Sequence, residues 1–341
     1  KLRAKSLREG SFFYYDFNLG YRFASSSAAD VADGSRLGHI IDFHGSAGPV
    51  FRNRYRILVD FDAKVDLESG YSPSTSFLAA VTPHIMLLPG HFHADLGARI
   101  DYSSALTISP KAEVGVQFAR GSHYLYAGFS GGQQLLTYYD LKTANHRFDY
   151  LWMQDMTHVD REKMNAFIGL DGHIGNFFQY KIKGGFASWG GRLFETLSAG
   201  NTKAGYAACD LNAAYANVDM SWESEHVSVL LDTDITVAAS ELAMGFAPAL
   251  ASGSFSFDYK WLRRIRAGVS VEGRTKRSAF GMPGVEDIPA YADLGVNFHY
   301  RLNRSFGLWA KGGNLACMKI QRVPGFVEKG PYGTLGISVI F

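Results

Sequence analysis

From Tyr55 to Glu68 apolar and charged residues alternate along the chain. Tyr55, Ile57, Val59, Phe61, Ala63, Val65 and Leu67 share one parity. Arg56, Asp60, Asp62, Lys64, Asp66 and Glu68 share the other, with Leu58 as its single apolar member. A period of two marks a strand with one apolar and one polar face; a helix would scatter these positions around its circumference. The pattern recurs in Phe13–Phe23, Phe92–Tyr102, Ile108–Phe118, Phe178–Phe186, Ala214–Glu223, Val227–Val237, Ser254–Tyr259 and Asp293–Tyr300. It is poorer in His123–Gly132 and Phe306–Leu315.

The connections alternate as well. Short turns are expected at Arg52–Arg54, Pro89–Gly90, Arg120–Ser122, Gly175–Asn176, Glu225–His226, Trp261–Arg264 and Arg301–Arg304. Between them lie longer polar stretches: Ser25–Gly38, Ser69–Thr75, Leu135–Glu162, Gly190–Leu211, Ala238–Pro248, Thr275–Asp287 and Ala316–Gly330. Short turns at one end and long loops at the other describe an all-β, up-and-down antiparallel transmembrane barrel. Counting segments predicts about 16 strands, with a range of about 14–18. Lys1–Gly10 is charged and reads as a leader segment, and Ser11–Phe341 as the barrel.

Composition decides which face is wet. Hydrophobic residues make up 47 % of the chain, yet no apolar run is long enough for a membrane helix. A water-soluble barrel of this strand number would enclose a space too wide for side chains to fill. With apolar faces on lipid and charged faces on a wet lumen the packing problem disappears. Aromatic residues crowd the strand ends (Phe12, Phe13, Tyr21, Phe23, Phe51, Tyr55, Tyr102, Trp222, Tyr259 and Tyr300), as interfacial girdles do. The 37 glycines and 14 % aromatic residues fit a sheet-rich protein with many tight turns. The net charge of +2 argues against a nucleic-acid partner. Outer-membrane lipids are the expected surroundings, and the bacterial outer membrane the expected location.

The final stretch, Tyr332 to Phe341, alternates and ends in Phe. It resembles the C-terminal insertion signal of outer-membrane barrels, carried here by Tyr332, Leu335, Ile337, Val339 and Phe341. Three further segments look more specific. Arg304–Phe341 contains Phe306-Gly-Leu-Trp-Ala-Lys-Gly-Gly-Asn-Leu315, then Pro324-Gly325-Phe326. Gly131-Gly-Gln-Gln134 precedes a long loop, and Lys183-Gly-Gly-Phe-Ala-Ser-Trp189 follows it. Together they resemble the barrels of TonB-dependent receptors of the Bacteroidota type. Active receptors of that family carry an N-terminal plug and a TonB box and have 22 strands. The resemblance therefore implies either a plug-less relative or a fragment whose N-terminal part is absent.

Catalytic signatures are missing: there is no phosphate loop, no G-x-S-x-G and no H-E-x-x-H, so no enzyme and no cofactor are expected. His44 and Ser46 share a strand face without a third, orienting group and read as polar lining. His91 and His93, with His84 across the Pro89–Gly90 turn, are the best metal candidates, and His146, Asp149, Asp155, His158 and Asp160 could gather a cation. Polar lining is the reading preferred for both, with no metal expected. The expected lumen-lining set is Arg56, Asp60, Asp62, Lys64, Asp66, Arg99, Asp101, Lys111, Glu113, Lys181, Lys183, Asp219, Asp232 and Asp234; Arg274 and Glu272 extend it. A two-residue turn at Glu225–His226 sets Asp219 opposite Asp232 and Asn217 opposite Asp234, with Lys181 and Lys183 as neighbouring compensators. Cys209 and Cys317 both fall in outer loops, which permits a bridge.

Two functions follow. One is a channel or transport barrel for small polar solutes, resting on the charged inner face. The other is a non-enzymatic accessory or scaffold barrel in a larger outer-membrane complex, with other outer-membrane proteins or surface lipoproteins as partners. It is motivated by the missing plug and by the length of Leu135–Glu162, which could also fold into the lumen as a constriction.

Overall fold

The computed structural model of the chain describes residues 1–6, 12–27, 35–51, 54–70, 74–145, 159–197, 204–261, 264–303, 305–328 and 330–339. The first strands are β1 (Leu2–Lys5), β2 (Phe13–Ser27), β3 (Ser35–Phe51), β4 (Tyr55–Gly70), β5 (Ser74–Leu87), β6 (Phe92–Tyr102), β7 (Leu106–Phe118) and β8 (His123–Leu135). A short helix, α1 (Tyr138–Ala144), follows. Then come β9 (Val159–Ile174), β10 (Phe178–Leu197), β11 (Ala204–Glu223), β12 (Val227–Ala238) and β13 (Gly245–Phe246). The chain continues with β14 (Ala251–Trp261), β15 (Ile265–Arg274), β16 (Ala279–Phe280), β17 (Tyr291–Arg301), β18 (Phe306–Gly313) and β19 (Tyr332–Val339).

Apart from β13 and β16, which pair with each other, the strands form one 17-stranded antiparallel sheet in which each pairs with the next along the chain. This is the up-and-down order that the alternating connections predict. Among the described residues β1 and β19 share no register, so the sheet is open. The two poorly alternating segments are strands β8 and β18.

Two expectations need correction. Leu2–Lys5, read as part of a leader, is β1, paired with β2 and pinned by Arg3 to Asp16 at 2.5 Å. Four residues are too few to show a period. Gly190–Leu211, read as a loop, is mostly strand: β10 runs to Leu197 and β11 starts at Ala204. The register shifts between Trp189 and Arg192, around Gly190 and Gly191. Beyond that irregularity Phe194, Cys209 and Leu211 turn inward against Leu242, so the apolar face changes sides.

Burial follows the inverted pattern. Ile57, Phe77, Ile108, Leu125, Ile168, Val269 and Phe298 all stand exposed, Ile108 at 66 % and Ile168 at 59 %. Charged residues such as Asp66, Asp95 and Asp101 are buried on the opposite face. Phe13, Tyr55, Tyr102, Trp222 and Tyr259 are exposed near strand ends, where girdles are expected, while Tyr21 is exposed in the middle of β2. Among the described residues, clusters of buried apolar side chains are small and gather at the long-loop end. One joins Leu197, Ala204, Phe246, Met282 and Ile288 around the β13–β16 pair.

The abundance of Gly and aromatic residues has a local cause. Register pairs set Gly45 opposite Phe17, Gly128 opposite Phe167, Gly169 opposite Tyr126, Gly185 opposite Tyr215 and Gly336 opposite Trp309. A Cβ on any of these glycines would come within 2.1–3.0 Å of the ring. Each ring lies across a strand that only glycine leaves open, which shields the glycine backbone from solvent and fixes the register.

Candidate functional site

The polar face is built by register. Pairing of β3 with β4 sets Asp42 opposite Lys64, His44 opposite Asp62 and Ser46 opposite Asp60. Pairing of β6 with β7 sets Asp95 opposite Glu113 and Gly97 opposite Lys111. Gly97 is required here: a Cβ would sit 2.5 Å from the His84 Cβ and 2.4 Å from the Pro83 carbonyl oxygen.

Two charge clusters result. In the first, His84 is buried between carboxylates. Its Nδ1 lies 2.5 Å from Asp95 Oδ1 and its Nε2 lies 3.2 Å from Asp60 Oδ2. Lys111 Nζ closes the ring at 3.1 Å from Asp95 and 3.7 Å from Asp60. In the second, His44 pairs with Asp62, and Arg99 reaches Asp62 at 3.3 Å and the fully buried Asp101 at 2.8 Å. The Gly131–Gln134 segment belongs to this cluster. The register shifts between Ser130 and Gly132, and there the Gln133 backbone N–H donates to Asp101 at 3.2 Å while the Gln133 carbonyl accepts from Arg99 at 3.4 Å. Buried charges are tolerated when fully paired in this way.

The wall from β8 to β12 is more aromatic. Tyr124 donates to Glu113 at 3.1 Å, Tyr126 to Asp171 at 3.2 Å and Tyr215 to Asn165 at 2.8 Å. Asp219 lies opposite Asp232, and Asn217 opposite Asp234, as the two-residue turn requires. Lys181 stands in register between Asp171 and Asp219. Lys183 instead places its ammonium 4.0 Å from the centre of the Phe167 ring. Arg56 lies on the same parity of β4 but joins neither cluster.

Helix α1 crosses between these walls. Thr137 caps it: its hydroxyl oxygen accepts from the Asp140 N–H at 3.3 Å, and the Asp140 carboxylate accepts from the Thr137 N–H at 3.1 Å. Asp140 also takes Lys64 Nζ of β4 at 2.6 Å and Arg22 Nη1 of β2 at 3.2 Å. Arg22 is fixed by two contacts of 3.0 Å to Asp42. The Tyr138 N–H donates to Asp66 at 3.3 Å. At the other wall Tyr138 and Leu141 are buried against Tyr206 of β11, with Leu193 of β10 beside them. Asn145 donates to Glu195 of β10, which pairs with Arg277 at 2.7 Å. Burial pushes the Asp140 carboxyl up, but hydrogen bonds from Lys64 and Thr137 outweigh this and hold it below the usual carboxylate range.

This geometry shows the curl of the sheet. β4 and β11 are seven positions apart in the order, about 34 Å of sheet. A helix of seven residues is about 10 Å long. Both strands reach α1 because the sheet wraps around it.

Of the histidine candidates, His84 and His93 have side-chain partners and His91 is exposed. His84 is held by Asp60 and Asp95, and His93 Nδ1 shares a 2.9 Å hydrogen bond with the Tyr124 hydroxyl. His146, Asp149, Asp155 and His158 lie outside the described residues. Cys209 and Cys317 are both free; Cys209 is buried, with its thiol 3.2 Å from the Met244 carbonyl, and Cys317 is exposed. In β19, Leu335, Ile337 and Val339 share one exposed parity and Tyr332 has the other; Phe341 lies outside the described residues.

Several site residues escaped the sequence reading. Arg22, Asp42, Asp140, Glu195, Arg277 and Arg322 were in loops, at strand ends or opposite partners far away in sequence. Arg322 anchors the loop before β19 through Glu272, Asp293 and Glu328. Nothing local distinguishes such a residue from a solvated surface arginine.

Solved structures share this architecture. The FrpB iron transporter from Neisseria meningitidis superposes with a TM-score of 0.68 at 11 % identity, covering 97 % of this chain and 61 % of that one. The ferric-catecholate import receptor Fiu from E. coli K12 gives 0.64 at 9 % identity, covering 96 % and 61 %. The copper transporter OprC gives 0.60 at 11 % identity, again covering 96 % and 61 %. The fold is the up-and-down antiparallel β fold of these transporter and receptor structures. It agrees with the TonB-dependent-receptor resemblance of the sequence. The chain spans about three fifths of the length of these neighbours. No family model and no curated protein matches it in sequence.

Proposed function

We propose that the chain forms the wall of a transport barrel in the bacterial outer membrane, passing small polar solutes through a charged interior. One observation carries this reading. The charged residues of β2 to β7 are on the face that curls around α1, paired into continuous clusters, while the opposite face is apolar and exposed. Such a surface needs lipid outside and water inside. The interior is then lined by Asp60, Asp62, Lys64, Asp66, Arg99, Asp101, Lys111 and Glu113 on one side. Lys181, Lys183, Asp219, Asp232 and Asp234 line the other, and Arg56 stands toward the short-turn mouth.

The fold neighbours named as transporters and receptors support the same reading. Their cargo, iron, copper or ferric catecholates by name, is theirs. The balance of acids and bases on the wall favours polar solutes over a single sign of ion. Purified protein inserted into planar bilayers is expected to conduct potassium chloride. Stable insertion with no conductance overturns the proposal.

A further inference from the structure

We propose that α1 is the constriction of this barrel and that Asp140 sets its charge selectivity. The inference rests on the transport reading above. α1 leaves the wall and crosses the curl, touching β2 and β4 on one side and β10 and β11 on the other. A solute moving along the interior must pass it.

The two attachments differ in kind. Toward β10 and β11 the helix is held by buried apolar side chains, Tyr138 and Leu141 on Tyr206. Toward β2 and β4 it is held by charge. There Arg22 and Lys64 face the wall carboxylate Asp42 and the helix carboxylate Asp140. Asp140 is the one member of this group carried by the helix. It neutralises both Lys64 and Arg22, so removing its charge leaves two cations unbalanced beside the path.

A simple staple would use the same contacts, but would differ in consequence. If α1 merely braces the wall, neutralising Asp140 loosens the helix without changing which ions pass. If α1 is the constriction, removing one negative charge there raises the permeability to anions relative to cations. Lowering the bulk of the helix then widens the path.

The test uses the full chain in planar bilayers under a potassium chloride gradient. Three forms are compared: the unaltered protein, Asp140→Asn, and a form with residues 137–145 replaced by an equal length of Gly and Ser. The expected result is a conductance several-fold larger in the replaced form and at least a two-fold rise in the chloride-to-potassium permeability ratio in Asp140→Asn. An independent readout reports docking: Leu141→Cys with Tyr206→Cys, in a background with Cys209 and Cys317 replaced by Ser, is expected to cross-link. If all three forms conduct alike while the cross-link forms, α1 is a brace and the inference falls, with the transport reading intact. If no cross-link forms, α1 does not occupy the interior and the inference falls. If every form inserts and stays silent, the transport reading falls and takes the inference with it.

Discussion

The ring of Tyr126 on β8 lies over Gly169, its register partner on β9, so closely that a Cβ at residue 169 would come 2.3 Å from the ring. The Tyr126 hydroxyl reaches on to Asp171 on the same strand. One contact therefore fixes both register and a polar bond of the inner wall. Overpacking a site of this kind costs about 1–3 kcal/mol. Gly169→Val is expected to destabilise the folded barrel by that amount in urea titrations in detergent. Tyr126→Ala combined with it should recover a good part of the loss, because the clash is with the ring. A double variant that simply sums the two losses would show the ring is not what Gly169 accommodates.

His84 sits between Asp60 and Asp95 with Lys111 completing the ring. Removing the imidazole leaves two carboxylates in a mostly buried place with a single ammonium between them. Breaking a buried ion pair from one side costs about 3–5 kcal/mol. The site is part-exposed to the interior, so about 2–3 kcal/mol is expected for His84→Ala. His84→Gln, which keeps hydrogen-bonding capacity without charge, should lose less. Unfolding midpoints of the two variants, measured side by side, check the order.

The hold of α1 depends on an ionised Asp140. Its carboxyl is held below the usual range in the folded protein, so it favours docking above that range and loses its contribution as pH falls through the lowered value. The ordinary carboxylate value is about 3.9, so the loss is confined to acid below about pH 4. A spin label on the exposed Thr143→Cys, in a background without Cys209 and Cys317, should report an ordered helix from neutral pH to about 5. Its spectrum should sharpen below about 4. In Asp140→Asn the label should be more mobile throughout, with the acid step gone. An unchanged acid step in that variant would assign it to another group.

Much of this architecture is legible in the chain because a strand writes its two faces into alternate positions. Tyr55–Glu68 needs no tertiary information to be read as β4, and the tight turn at Glu225–His226 is enough to bring Asp219 opposite Asp232. The reading fails where the rule changes. At Gly190–Gly191 the register slips, and the apolar side chains beyond it face other loops instead of lipid. The four-residue β1 is too short to carry a period. The docking of α1 was beyond reach for a different reason: Asp140 and Lys64 are 76 positions apart, and only the curl of the sheet brings them together. A capping pattern at Thr137–Asp140 was present, but it predicts a helix start and says nothing of what the helix meets.

The sharpest test of the inverted pattern compares neighbours of opposite parity on one strand. On β9, Ile168 points to the apolar side and is 59 % exposed, while Asn165 points inward and accepts from Tyr215. In water, replacing an exposed isoleucine by arginine would cost little and would favour solubility. In a bilayer the same change places a guanidinium in hydrocarbon, at about 2–4 kcal/mol near the midplane. Ile168→Arg is therefore expected to lower folding stability in lipid vesicles by that amount and to slow insertion. Inside the wall, Phe167→Arg exchanges an aromatic for a charge in a hydrated space; it should cost about 1 kcal/mol, mainly lost packing with Tyr126 and Lys183. Folding yields and urea midpoints of both variants in the same vesicles give the comparison. Equal costs for Ile168→Arg and Phe167→Arg would remove the distinction between a lipid face and a wet face on which the barrel reading stands.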